Sequence, residues 1–478
     1  MRTIQYIIIA LLLYLIFFLR LTSFPIRTWD ESWYAVNAYE MMQRHSYFVP
    51  YFGGNIDHII TKPMLAVWLQ IISIKIFGFN ELAIRLPSAM AGAFSSLVVF
   101  LFLKKLGKPI WAWCSFLVLI TSIGFIHFHA ARTGDTDSLL TLFILLSNIF
   151  FFLYLFDDPQ KNRNIFLYFL FLALAFGVKS FASLLFIPAH IFLLFYKRTW
   201  KKTLTHKGTY AGLFIFMGFI FLFIMGRQIH DPDYIHSMIH MDLLRVNSVI
   251  DNHKEPFDFY FNNFYEYRFS IWCAVFVFSI TLFILNRKDK EIHTLPMWAI
   301  SLFISQFLFI SFSATKLYWY DTPLYPYMAI VTGYGISYII TNIKVLKVKT
   351  AYQYFIIPAF FCIPLYFAIK HSHDNIISDN ERKAERISEY IYTREREGMN
   401  FDNFAVTDNS FIGPMLFYKY NLNEKGQHIN IMDTSEIRPN NQVIVKNDTI
   451  KEHIRHKFNY TVVDNFHEVT VFKIGTRK

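Results

Sequence analysis

Three groups of polar residues interrupt an otherwise apolar chain, and their types suit chemistry on a phosphate. The first is Thr28-Trp29-Asp30-Glu31-Ser32-Trp33-Tyr34, in which Asp30 and Glu31 are adjacent carboxylates. Thr61-Lys62-Pro63-Met64 and the run from Phe77 to Pro87 follow in the same loop. The second is His127-Phe128-His129-Ala130-Ala131-Arg132-Thr133-Gly134-Asp135-Thr136-Asp137. The third is Ser313-Ala314-Thr315-Lys316-Leu317-Tyr318-Trp319-Tyr320-Asp321-Thr322-Pro323. Acids held beside a lysine at a membrane interface could touch both a lipid phosphate and a water-borne acceptor. If the third segment is helical, Lys316 and Tyr320 share a face, and a cation with a phenol could hold a phosphate. Simpler roles also fit. Asp137 could cap a helix, although a cap requires neither Arg132 nor Asp135. Trp319 suits an interfacial aromatic belt.

The elements that carry these groups are set by the apolar residues. The 478-residue chain is 54% hydrophobic and 17% charged, well below the quarter that soluble domains carry. The apolar residues fall into blocks of roughly 17–22, the length of a membrane-crossing helix. About eleven such spans are expected, near 4–21, 85–103, 110–127, 138–156, 165–178, 180–196, 209–226, 269–286, 296–312, 322–341 and 351–369. The pair meeting near Lys179 reads as two short helices or one broken segment. The net charge of +11 does not point to nucleic acid. It sits in alternate short loops that carry Lys104, Lys105 and Lys108; Lys161 and Arg163; Lys197, Arg198, Lys201, Lys202 and Lys207; Arg287, Lys288 and Lys290; and Lys344, Lys347 and Lys349. That is the positive-inside pattern, and it puts the N-terminus in the cytoplasm. No small-residue cleavage site follows the first apolar run, so it is expected to stay as a helix. Cys114, Cys273 and Cys362 lie far apart in apolar stretches and form no disulfide or metal spacing.

This topology puts the polar groups on one, non-cytoplasmic side. They occupy a long first loop (about 22–84), the short 132–137 turn, a loop at 227–268 and the tail from about 371. Ile59, Leu65, Trp68 and Ile72 give the first loop an amphipathic stretch suited to helices lying in the interface. In the tail, 381–392 reads as an amphipathic helix, and 404–407, 442–445, 460–463 and 469–474 read as strands. The expected division is a membrane domain at 1–370 and a small extramembrane α/β domain at 371–478.

Asp30-Glu31 with Tyr34, Lys62-Pro63, Gly78…Glu81…Arg85-Leu86-Pro87, Arg132…Asp137 and Lys316…Tyr320…Pro323 occur in a telling order. Over most of 20–330 the chain resembles the ArnT-like branch of the GT-C glycosyltransferases. That branch includes the lipid A aminoarabinose transferases and is related to the protein O-mannosyltransferases. The resemblance implies a polytopic α-helical GT-C fold. It also implies transfer of a sugar from a polyprenyl-phosphate carrier, such as undecaprenyl phosphate, to a lipid A-like, glycan or protein acceptor. The setting would be a bacterial inner membrane, with the active site facing the periplasm. Asp30 would be the base or acceptor-orienting group, with Glu31 beside it, and Asp137 the second acidic position. Tyr34, Lys62, Arg132, Lys316 and Tyr320 would bind substrate, with Lys62 and Tyr320 near the carrier phosphate. His253, in His-Lys-Glu-Pro-Phe, matches a loop histidine that can hold a divalent metal. Thr61 departs from the pattern, because the aminoarabinose transferases carry an acid just before the lysine. The competing reading is a transporter or flippase of lipid-linked glycans. Such proteins bury ionisable residues near the midplane, and Lys179 is the residue here that suits one.

Overall fold

The computed structural model describes residues 2–157, 162–243, 249, 253–286, 290–342, 350–374 and 379–478. Lys161, Arg287, Lys288, Lys344, Lys347 and Lys349, all expected in cytoplasmic loops, lie outside the described residues. Each apolar block is helical. The helices include Arg2–Leu13, Glu81–Lys105, Pro109–Ile120, Asp137–Phe152, Asn162–Lys179, Ile187–Tyr196, Lys207–Gln228, Ser270–Leu285, Lys290–Phe312, Tyr325–Asn342 and Thr350–Asp374. In lipid, a backbone has to satisfy its own hydrogen bonds, and a helix does so within one segment.

Among the described residues, five helices are long and apolar enough to cross a membrane. They become six if Phe259–Arg268 and Ser270–Leu285, bent by 119°, count as one span. Several helices turn large apolar side chains outward, as at Phe214 (80% exposed), Leu285 (74%) and Phe312 (73%). A water-soluble surface does not tolerate so much apolar exposure. The chain is a multi-pass membrane protein.

The chain separates into two compact units. Unit 1 holds Met1–Leu19, His58–Ala66 and Ser88–Asp374; unit 2 holds Arg20–Asp57, Val67–Pro87 and Asn375–Lys478. Unit 1 is helical. A buried chain of polar groups ties four of its helices together. Tyr168 pairs with His190 Nδ1 at 3.0 Å, His190 Nε2 with Asn148 Oδ1 at 2.7 Å, and Asn148 Nδ2 donates to the Tyr327 hydroxyl at 2.6 Å. Buried hydrogen-bonded networks of this kind help to fix which helix faces meet.

Unit 2 is built on a mixed sheet. After a short hairpin, β1 (Tyr51–Phe52) with β2 (Asn55–Ile56), come β3 (Phe404–Val406), β4 (Asn430–Ile431), β5 (Gln442–Val445), β6 (Phe458–Phe466) and β7 (Val469–Arg477). The five-stranded sheet has the order β4-β3-β5-β7-β6; β3 is parallel to β4 and β5, and β7 is antiparallel to β5 and β6. Val443, Val445, Phe472 and Ile474 on the sheet pack against Ile450 and Ile454 of helix Asp448–Lys457. The helix expected at 381–392 is broken into Asp379–Ala384 and Arg386–Arg396. The break falls at Glu385, whose buried carboxylate meets Arg27 Nη1 at 2.5 Å.

The first loop belongs to this unit and is bonded to the tail. Tyr418 Oη accepts from the Ile26 amide at 3.1 Å and donates to Glu81 at 3.0 Å, and Asn421 donates to the Phe79 carbonyl at 2.6 Å. Helix Leu65–Phe77 leaves Ile72 and Ile76 more than half exposed, as a helix lying against lipid would.

Candidate active site

Unit 1 holds a partly open cavity of about 320 Å³ with a polar end and apolar walls. Lys62, Asp137, Lys179, Ser180, Asp242, Gln306 and Tyr320 supply the polar groups; Leu140, Phe181, Leu184, Leu185, Pro188, Phe309 and Ile310 supply the walls. Three of the polar residues sit where an element starts or stops. Asp137 is the first residue of helix Asp137–Phe152, and Lys179 the last of Asn162–Lys179. Ser180 has φ of 35°, which turns the chain out of that helix into a short 3₁₀ segment, Ser180–Leu184. Tyr320 lies in another 3₁₀ segment, Tyr318–Leu324. Helix ends leave unpaired backbone groups and allow abrupt changes of direction, so side chains from different helices can converge there.

Lys179 Nζ donates to both Asp137 oxygens, at 2.6 and 2.8 Å. It also lies 5.3 Å from the centre of the Tyr320 ring. Both partners of the pair are buried. The lysine that suits a transporter is thus matched by a carboxylate at the end of the neighbouring helix. The segment carrying Lys62 is held from the far side. Arg227 Nη1 donates to the Ile60 carbonyl at 2.5 Å and Tyr234 Oη to the Thr61 carbonyl at 3.0 Å. Arg227 is held by Asp231 at 3.3 Å and lies over the Tyr234 ring at 4.4 Å. Thr61 Oγ1 donates to Asp242 Oδ1 at 3.1 Å, and Ser180 Oγ to Asp242 Oδ2 at 2.6 Å. Asp242, Arg227, Asp231, Tyr234 and Gln306 were not singled out by motif.

The other expected site residues have different surroundings. Arg132 donates to the carbonyls of Ile16, Leu19 and Ser372 at 2.8–2.9 Å. Lys316 Nζ donates to the Glu255 and Ser313 carbonyls at 3.0 and 2.7 Å, and its amide to the His253 carbonyl at 3.0 Å. Lys316 precedes the 3₁₀ turn of Tyr320, so the two share no helical face. Burial lowers the Lys316 pKa from its ordinary value, against the opposing pull of Glu255. His253 is exposed. Asp135 accepts from Thr133 and pairs with His129 Nδ1 at 3.0 Å, while the His129 ring stacks on Trp319 at 3.7 Å.

Asp30 and Glu31 open helix Asp30–Gln43 in unit 2. Trp29 before them has φ of 63° and stacks on Phe411 at 4.7 Å. Positive φ is uncommon for a bulky residue and costs energy that surrounding contacts have to offset. Glu31 is buried and engaged on both oxygens: Arg85 Nε reaches Oε1 at 2.7 Å, and Arg85 Nη2 and the Arg27 amide reach Oε2 at 2.9 and 2.7 Å. Tyr34 is buried in the same helix.

Against known proteins, residues 61–222 match the family model described as dolichyl-phosphate-mannose-protein mannosyltransferase. The chain is 29% identical over 313 residues to an uncharacterized protein of Aquifex aeolicus, covering 64% of this chain and 58% of that one. It is 28% identical over 319 residues to the undecaprenyl phosphate-alpha-4-amino-4-deoxy-L-arabinose arabinosyl transferase of Wigglesworthia glossinidia brevipalpis, covering 64% of this chain and 54% of that one. The chain thus spans little more than half the length of these relatives. The crystal structure of ArnT from Cupriavidus metallidurans bound to undecaprenyl phosphate superposes with a TM-score of 0.70 over 98% of both chains, at 15% identity. The chain has the ArnT-like GT-C fold. Within that fold, the cavity of unit 1 draws its polar end from helix Asp137–Phe152, helix Asn162–Lys179 and the Lys62 segment.

Proposed function

We propose that this chain is an integral membrane glycosyltransferase. It moves a sugar from a polyprenyl-phosphate carrier to a lipid A-like, glycan or protein acceptor on the extracytoplasmic face, in a bacterial inner membrane with the site towards the periplasm. The observation that carries this is the unit 1 cavity, where Lys62, Lys179 and Tyr320 sit at the polar end of an otherwise apolar chamber. A phosphate joined to a hydrocarbon chain and a sugar needs both surroundings. The sequence likeness to undecaprenyl-phosphate sugar transferases supports the same reading.

In the proposed reaction, the bond between the anomeric carbon and the phosphate oxygen breaks, and the acceptor oxygen bonds to that carbon. The carrier leaves as polyprenyl phosphate, and the acceptor proton passes to a carboxylate. The transition state is oxocarbenium-like, so the charge that builds on the leaving phosphate is where stabilisation counts. Lys62 and Tyr320 take that role. Lys179, held by Asp137, keeps the polar end in shape. Asp30 is assigned to the acceptor, as base or, where the acceptor is itself a phosphate, as the orienting group. Glu31, bonded to Arg85, holds the segment that presents Asp30. Arg132 holds the carbonyls of Ile16, Leu19 and Ser372, and Lys316 those of Glu255 and Ser313.

Of the two positions that the resemblance gives for a metal, Thr61 carries no acid. Thr61 supplies a hydroxyl, already donated to Asp242, and His253 is exposed. No step is assigned to a metal.

The test is sugar release from purified protein given undecaprenyl-phosphate sugar and a lipid extract containing lipid A. Lys62→Ala and Asp30→Asn should each lower transfer at least 100-fold without loss of folded protein. Full transfer by Lys62→Ala would remove the phosphate role. Mass spectrometry of lipid A and surface glycans from cells with and without the protein identifies the acceptor.

A further inference from the structure

The charges that line the unit 1 cavity cancel. Lys62 and Lys179 are matched by Asp137 and Asp242. A site for a bare phosphate would carry an excess of cations, because each added carboxylate repels the ligand. Asp137 is accounted for by Lys179, on which both its oxygens are bonded. Asp242 receives hydroxyl hydrogens from Thr61 and Ser180, one on each oxygen. A carboxylate can accept about four hydrogen bonds, so it has capacity left for a ligand.

A second acceptor in the cavity is independent of Asp242. Gln306 is 2% exposed and lines the cavity. Its Nε2 donates to the Tyr320 carbonyl at 2.9 Å, which fixes the amide orientation, and its Oε1 has no hydrogen-bond partner. A buried carbonyl left without a partner costs about 1–3 kcal/mol, and a ligand that donates to it recovers that cost.

Two acceptors beside the cations are wrong for a phosphate and right for the hydrogen-bond donors of a sugar. We infer that Asp242 and Gln306 form the subsite that reads the hydroxyl or ammonium groups of the carried sugar, so that the cavity distinguishes a loaded carrier from a spent one. This rests on the transferase reading above. It adds that product release follows from loss of the sugar: once transfer is complete, the bare phosphate faces Asp242 with nothing to donate to it.

The experiment is equilibrium binding to the full-length protein in nanodiscs. Three carriers are compared: undecaprenyl phosphate, undecaprenyl-phosphate mannose and undecaprenyl phosphate-4-amino-4-deoxy-L-arabinose. Wild type should bind at least one loaded carrier about 10-fold or more tightly than the bare one. Asp242→Asn keeps the shape, and Ser180 can turn to accept from the new amide. It should weaken the loaded carriers about 10-fold, roughly one charge-assisted hydrogen bond, and leave bare undecaprenyl phosphate bound as well as before or better. Gln306→Met should show the same selective loss, which guards against a folding defect specific to Asp242. A larger loss for the amino sugar identifies an ammonium contact; equal losses identify hydroxyls. Equal weakening of bare and loaded carriers, or no weakening of either, overturns the inference. Wild type that binds none of the three refutes the transferase reading itself, and the inference falls with it.

Discussion

Replacing Arg85 by Met tests whether Glu31 is a structural rather than a reacting carboxylate. Arg85 is fully buried and donates five hydrogen bonds. Two go to Glu31, at 2.7 and 2.9 Å, and three to the carbonyls of Leu21, Phe24 and Pro25, at 3.0, 3.0 and 2.6 Å. Its guanidinium also lies 3.7 Å from the centre of the Phe24 ring. Met keeps most of the volume but removes every donor. Glu31 then loses its guanidinium while it keeps the bond from the Arg27 amide, and three carbonyls lose this donor. Breaking one side of a buried pair costs about 3–5 kcal/mol, and the carbonyls place the result at the upper end. Against a typical total of about 5–15 kcal/mol, that loss is large. For unit 2 melting as one body, it lowers the transition by on the order of 10 °C. The assay is thermal unfolding in detergent followed by circular dichroism, with Arg85→Lys as a second variant. Lysine keeps the charge but cannot form the two-pronged contact, so it should recover only part of the loss. The double variant Glu31→Met, Arg85→Met removes the stranded charge and should be more stable than Arg85→Met alone. An Arg85→Met protein melting within about 1 °C of wild type would show that the buried pair contributes little to stability.

Lys179→Met should cost about 3–5 kcal/mol by stranding Asp137, seen as a lower melting temperature, and should abolish carrier binding; tight binding by a stable variant would contradict the role of the pair. Gly124→Ala should destabilise unit 1 by at least about 1–3 kcal/mol, because a Cβ there would collide with the Tyr325 hydroxyl ring end and touch Arg268; unchanged melting would show that the Arg268, Asp321 and Tyr325 cluster can yield. Burial raises the Glu385 pKa from its ordinary value, more than Arg27 and the Thr28 amide lower it. The folded form therefore binds more protons than the unfolded one above the ordinary carboxylate range, so stability contributed by this group is lost as pH rises through the raised pKa. Unfolding of wild type and Glu385→Gln across pH 4–8 checks the sign: the wild-type slope should flatten in the variant.

Much of the fold was legible because lipid leaves few options. Apolar blocks had to be helices, and each block from 4–21 to 351–369 is one or is broken into two. The breaks were less legible. Ser180 turns at positive φ, although no glycine or proline marks the position. The tail's β5 and its long hairpin strands, β6 and β7, were visible as β-branched and aromatic runs, but the two-residue β4 and helices Gly413–Glu424 and Asp448–Lys457 were not. Helix Gly413–Glu424 mixes buried Met415, Leu416 and Phe417 in succession, a pattern with no helical period. The union of the first loop with the tail rests on contacts such as Arg27 with Glu385 and Tyr418 with Glu81. Single polar residues more than 300 positions apart leave no local signature.

The site divides along the same line. Residues inside compact motifs, Lys62, Asp137 and Tyr320, do line one cavity. Lys179 was visible only as an unexplained charge in an apolar span, and its meaning needed Asp137 beside it. Thr61 was legible as a missing acid, because the resemblance leads one to expect a carboxylate just before the lysine. The structure supplies one from elsewhere: Asp242 accepts the Thr61 hydroxyl across 181 positions. A motif records which residue types adjoin in sequence, whereas a cavity requires only that a charge be present at a point in space. If Asp242 replaces the lost function, Thr61→Glu should crowd two carboxylates together and lower affinity for loaded carrier. Thr61→Glu with Asp242→Thr should restore part of it. Recovery in that double variant, measured with the same three carriers, would show the two positions to be exchangeable; a double variant weaker than either single one would show that Asp242 has a place of its own.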